Sequence, residues 1–154
     1  MKRLWITALG ALLADLISKW LAAAWLKQQT VRLGWLVEMR VTHNTGIAFG
    51  MLSDSALAVL ALPLTVILCG WLLMRRYRMT AFTATACGLV LGGFAGNFGQ
   101  RILHGSVLDM LYCPWLPWFV CNVADICICL GVALLALSLL MRPQDWEEKA
   151  HAEN

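Results

Sequence analysis

The chain has 154 residues, 60% of them hydrophobic and 14% charged, with a mean hydropathy of +0.71 and a formal charge of +3. That is more apolar surface than one soluble core can use, so an ordinary soluble domain is excluded and a single membrane-embedded domain is expected. The positive charge is not gathered into a basic patch interleaved with aromatics, and no nucleic-acid partner is expected.

A spanning helix needs about 20 mostly apolar residues. Four stretches supply them, at about 4–25, 55–74, 81–99 and 122–141. The expected fold is therefore mainly α: an integral membrane protein of four transmembrane helices, with a small β-platform (about 30–50) on the outer face and a tail at 144–154 that reads as polar and disordered. Lys2, Arg3, Arg75, Arg76, Arg78, Arg142 and Lys149 flank the spans on one side, against Lys27, Arg32, Arg40 and Arg101 on the other. This bias places both termini inside.

The first span has a leader-like start, with Lys2 and Arg3 before an apolar run and "LAAAW" after it. Asp15 and Lys19 interrupt that run, so it reads as a retained helix. The two lie four apart on one face, acid first, the order that suits a helix pair. A lone charge at the bilayer centre costs about 2.5–3.5 kcal/mol on insertion scales, so the pair is expected to face the bundle interior. Its spacing fits a structural salt bridge and a functional acid alike.

After this helix, "TVRLGWLVEMRVTH" alternates with the period of a strand, with Val31, Leu33, Trp35, Val37, Met39 and Val41 on one face. A lone strand cannot cross lipid. It is expected to lie on the outer surface with its apolar side down and Gly34 as a bend or bulge. It runs into "HNTGIAFG", where Asn44 and Gly46 allow a turn and Phe49 returns the chain to the interface. In the third span, Gly88, Gly92 and Gly96 form a small-residue stripe suited to close helix packing. The span ends in "GNFGQR", which puts Asn97 and Arg101 on one face.

The connection "ILHGSVLDMLYCPWLPWF" reads as an interfacial loop with an aromatic belt. The fourth span opens at "CNVADICI", with Asn122 as N-cap and Asp125 at the third helical position. Six cysteines occur without a CxxC pair or a histidine at ligand spacing, so neither a metal nor a cofactor is expected. Cys113 and Cys121 fall on the outer side, where a disulfide and two free thiols both remain open.

Asp109 and Asp125 are separated by a proline-containing stretch that can double back, bringing them together at the outer boundary. Two neighbouring carboxyls share a proton rather than both ionise. One can then act as base on a water while the other donates to a carbonyl oxygen. The plainer alternative makes Asp125 a helix cap and Asp109 a solvated loop acid.

The ordered set "DLISK", "NTGIAFG", "GGFAGNFGQR", "GSVLDM" and "NVAD" resembles the lipoprotein signal peptidase (signal peptidase II) family along nearly the whole chain. The resemblance implies an intramembrane aspartic endopeptidase of the bacterial inner membrane with its active site at the periplasmic face. It would remove the signal peptide from diacylglyceryl-modified prolipoproteins, just before the lipidated cysteine. Carried over by position, Asp109 and Asp125 are the catalytic acids. Asn44, Gly46, Asn97, Arg101 and Asn122 shape the site and hold substrate, and Asp15 with Lys19 forms a structural membrane pair. Membrane lipid and lipidated prolipoproteins are the expected partners, and the chain is expected to be a monomer.

Three positions depart from the family's usual residues: Gln100 stands for an aspartate, Met110 for a phenylalanine and Cys121 for a phenylalanine. Two other functions stay open. One is a small proton- or cation-coupled carrier using Asp15, and the other is an inactive relative that binds lipopeptides, for which Gln100 argues.

Overall fold

The computed structural model describes residues 1–27, 29–45, 56–117 and 119–148, and at 56–63, 66 and 73 the backbone alone. Gly46 and Phe49 lie outside the described residues. Four long helices are present: α1 (Lys2–Leu26), α2 (Ala56–Arg76), α3 (Ala81–His104) and α4 (Val123–Met141). α1, α3 and α4 are each long and apolar enough to cross a membrane. α2, at 21 residues, spans about 30 Å at the rise of an α-helix.

α3 lies between α1 and α4, and its glycines set the distances. A side chain at Gly88 would meet the Leu4 carbonyl at 2.6 Å, and one at Gly92 would run into the Ala8 carbonyl. On the other side, a side chain at Gly93 would meet the Ala124 carbonyl at 2.5 Å and one at Gly131 the Ala86 carbonyl at 2.7 Å. These pairings make α1 parallel and α4 antiparallel to α3, so the starts of α1 and α3 and the end of α4 share one end of the bundle. The small-residue stripe is thus used for packing as the sequence suggests. Gly92→Ala is expected to cost about 1–3 kcal/mol, because the obstacle is backbone and the helices must part. A lowered unfolding midpoint in detergent, with Gly99→Ala (open space around its Cβ) as the unaffected control, checks this.

The platform differs from expectation in two ways. The alternating stretch is not one strand but a hairpin, β1 (Val31–Leu33) and β2 (Val37–Asn44), paired from Val31↔Met39 to Leu33↔Val37. Gly34, at φ +73°, turns the chain back. Period-two alternation continues through such a turn and does not reveal it. The connection after α3 is likewise not all loop, since it contains β3 (Val107–Tyr112), followed by β4 (Val120–Cys121). "VLDMLY" lacks alternation because its first four residues are buried on both faces. The four strands form one antiparallel sheet in the order β1-β2-β3-β4. Its inner side, through Leu108, Met110, Met39 and Val41, packs on Ala22 and Leu26 at the end of α1.

α3 runs to His104 rather than ending near 99: Gly99 stays within the helix, and Gly105, whose φ is +71°, closes it with its N–H on the Arg101 carbonyl at 3.0 Å. The belt is tied to the hairpin by Trp115, whose Nε1 donates to the Leu36 carbonyl at 3.1 Å. The tail expected to be disordered is ordered at its start. Pro143–Trp146 forms a 3-10 turn in which Asp145 is buried, accepting from Ser138 at 2.9 Å and Arg142 at 2.7 Å, and Glu148 bridges Tyr77.

Candidate active site

Asp109 sits in β3 opposite Thr42 of β2, and Asn44 sits opposite Val107. With a side-chain period of two, Asn44 and Asp109 fall on the same face as diagonal neighbours. Asn44 Nδ2 accordingly donates to Asp109 Oδ2 at 3.0 Å. The register of the sheet thus explains the asparagine of "HNTGIAFG".

Asp125 comes from the first turn of α4. Asn122 caps that helix: its Oδ1 accepts the Asp125 N–H at 3.0 Å, and its own N–H donates to Asp125 Oδ2 at 3.0 Å, a reciprocal capping box. Because the cap uses Asn122 Oδ1, the amide must turn Nδ2 toward the site. There it donates to Asp109 Oδ1 at 2.6 Å and to Asn97 Oδ1 at 3.1 Å. One residue therefore starts the helix that carries one acid and holds the other acid in place.

Asn97 is oriented the same way. Lys19 Nζ has only donors to offer, and it bonds Asn97 Oδ1 at 2.8 Å, leaving Asn97 Nδ2 to donate to Asp125 Oδ1 at 2.8 Å. Lys19 is itself paired with Asp15 Oδ2 at 2.7 Å, both almost wholly buried at 3% and 0% exposure. The other oxygen, Asp15 Oδ1, accepts the Ala124 N–H at 2.9 Å, one of the amides that a helix start leaves unsatisfied. The pair in α1 thus ties together α3, through Asn97, and α4, through Ala124. It also orients an amide that touches Asp125.

Every oxygen of Asp109 and Asp125 accepts a hydrogen bond. Asp109 is 2% exposed and Asp125 partly exposed, so the site is dry on the sheet side and open beside α4. Burial is the largest influence on Asp109 and holds its carboxyl above the usual carboxylate range, with the nearby Asp125 charge adding to it. The amides of Asn44 and Asn122 and the Lys19 ammonium pull it back down. Arg101, four residues along α3 from Asn97, interacts electrostatically with both acids and reaches the Asn97 carbonyl at 3.5 Å.

Residues 7–141 match the family described as Signal peptidase (SPase) II. The chain belongs to the signal peptidase II family. It is 36% identical over 143 residues to a lipoprotein signal peptidase of Symbiobacterium thermophilum, covering 88% of this chain and 93% of that one. To the lipoprotein signal peptidase of Pseudomonas paraeruginosa it is 36% identical over 159 residues, covering 96% and 92%. A solved bacterial membrane enzyme, 22% identical, superposes with a TM-score of 0.80 over 97% of this chain and 94% of that one, a likeness of fold.

Within this signal peptidase II chain, sequence reasoning left two connections unseen. Gln100, which in sequence is a departure that argues for an inactive relative, accepts the Leu108 N–H at 3.1 Å through its Oε1, holding β3 one residue before Asp109. A neutral amide oxygen meets that requirement without a charge. Lys19 was paired only with Asp15, because a contact from α1 to α3 leaves no local spacing to read. At the remaining departures, Met110 fills the core under the sheet. Cys113 and Cys121 are free thiols, and burial pushes that of Cys121 up to about 12.

Proposed function

We propose that Asp109 and Asp125 form the catalytic dyad of an aspartic endopeptidase that removes the signal peptide from diacylglyceryl-modified prolipoproteins before the lipidated cysteine. The observation that carries this reading is the shared cradle: Asn122 touches both acids, and the acids come from different elements of a chain whose family is that of signal peptidase II. The dyad holds one proton. The ionised carboxyl takes a proton from water as its oxygen bonds the scissile carbonyl carbon, and the protonated carboxyl gives its proton to the carbonyl oxygen. The resulting diol collapses as the C–N bond breaks and a proton passes to the leaving amine. Asn97, Arg101, Asn44, Gly46 and Asn122 are assigned to shaping the site and holding the substrate backbone.

In this reading the chain is a monomer in the bacterial inner membrane. The arginine-bearing end with both termini faces the cytoplasm and the sheet faces the periplasm. The acyl chains of the substrate then stay in lipid while the scissile bond meets water at the partly exposed Asp125. The carrier alternative loses support because both oxygens of Asp15 are committed to Lys19 and Ala124. The inactive-relative alternative loses support because Gln100 keeps a hydrogen bond beside Asp109.

A diacylglyceryl-modified prolipoprotein incubated with the purified enzyme is expected to give one product with a new N-terminus at the lipidated cysteine. The unmodified precursor is expected to stay intact. Mass spectrometry of both reactions checks this, and equal cleavage of the unmodified precursor would overturn it.

A pH effect follows from the position of Asn44. Its donor favours the ionised form of Asp109, so Asn44→Leu raises the Asp109 pKa further and keeps the proton on the dyad to higher pH. The alkaline limb of the kcat/KM profile is expected to move upward. An unmoved or lowered limb contradicts the link between Asn44 and the dyad.

A further inference from the structure

From the end of the bundle opposite the dyad up to Phe94, one turn before Asn97, α2, α3, α4 and the C-terminal turn line a cavity of about 260 Å³. Gly70, Leu91, Phe94 and Leu135 are among its walls, which are almost entirely apolar, with Arg78 and Trp146 at the end that carries the chain termini. Water is a poor occupant, because a buried water needs two to four polar partners. The indole Nε1 of Trp146 is buried with no hydrogen-bond partner among the described residues. That atom has almost no accessible surface, so it is closed to whatever occupies the cavity.

The charges nearby are unevenly matched. Arg142 is taken by Asp145, which also borders the cavity, and Arg76 by Glu148, each pair at 2.7 Å. Arg78 makes no ion pair among the described residues, and Arg75 lies over the Trp71 ring without one. Near these two guanidiniums the unpaired acid among the described residues is the exposed Glu147, whose backbone carbonyl accepts the Arg78 backbone N–H at 2.9 Å. From the cavity outward the surface therefore asks for an apolar chain and then negative charge. That is the order of groups in a glycerophospholipid with an anionic headgroup.

We propose that this cavity holds one acyl chain of an anionic phospholipid from the leaflet on the arginine side, with the headgroup phosphate near Arg78. The site lies away from the dyad and does not depend on the reaction assigned to it. Native mass spectrometry of the full chain in detergent, titrated with phosphatidylglycerol and in parallel with phosphatidylethanolamine of the same acyl chains, tests it.

The wild type is expected to hold one phosphatidylglycerol in clear preference. Arg78→Gln is expected to reduce that preference about fivefold, the worth of one basic residue at a membrane surface. Gly70→Leu projects into the cavity, since a Cβ there meets nothing within 4 Å, and is expected to abolish tight binding. Equal retention of the two lipids by the wild type would overturn the proposal. So would unchanged binding in a Gly70→Leu protein with a normal unfolding midpoint.

Discussion

Asp125→Asn is expected to lower the single-turnover rate of signal-peptide removal by about 10²–10⁴, the range for loss of a positioned acid or base. Adding Asp109→Asn to it is expected to lower the rate little further, because groups acting as one unit do not contribute additively. Neither replacement is silent toward the fold. Asp125 accepts from Asn97 Nδ2 and the Asn122 N–H on separate oxygens, and Asp109 accepts from Asn44 and Asn122 in the same manner. An asparagine offers one oxygen, so one donor at each site loses its acceptor, at about 1–3 kcal/mol. The comparison is therefore made at equal folded fraction, measured by the unfolding midpoint. Independent, multiplying losses would mean that the two acids do not share a proton.

Lys19→Met is expected to destabilise the protein by about 3–5 kcal/mol, because it strands the buried Asp15 carboxylate. The double variant Asp15→Leu with Lys19→Met is expected to recover much of that loss, since a buried ion pair replaced by apolar groups is often neutral or better. Activity should not recover with stability. Without the ammonium, Asn97 Oδ1 keeps only the 3.1 Å bond from Asn122 Nδ2 among the described residues, a weaker hold against inversion of the amide, which would present oxygen to the Asp125 carboxylate. Unfolding midpoints and kcat of the single and double variants separate the two effects. A double variant that regains both stability and kcat would show that Lys19 does not position Asn97.

Much of this architecture was legible in the residues. Four apolar runs, the helical glycine stripe and the Asn122 cap with Asp125 behind it are local patterns, and each lies where its spacing put it. The hairpin and β3 were hidden for opposite reasons. Alternation runs unbroken across the turn at Gly34, and it disappears from "VLDMLY" because both faces of that strand are buried.

The acids could be singled out because paired carboxyls are rare in so apolar a chain. What joins them could not. The contacts from Asn44 to Asp109, Lys19 to Asn97 and Gln100 to Leu108 follow from sheet register and helix packing, which one sequence does not display.

The most direct test of the central claim is a gel-shift assay of a diacylglyceryl-modified preprolipoprotein, with wild type and Asp109→Asn reconstituted in the same lipid at equal folded amounts. The wild type should convert the precursor to the shorter lipoprotein, and Asp109→Asn should leave it uncut over the same interval. Full conversion by Asp109→Asn would contradict the dyad.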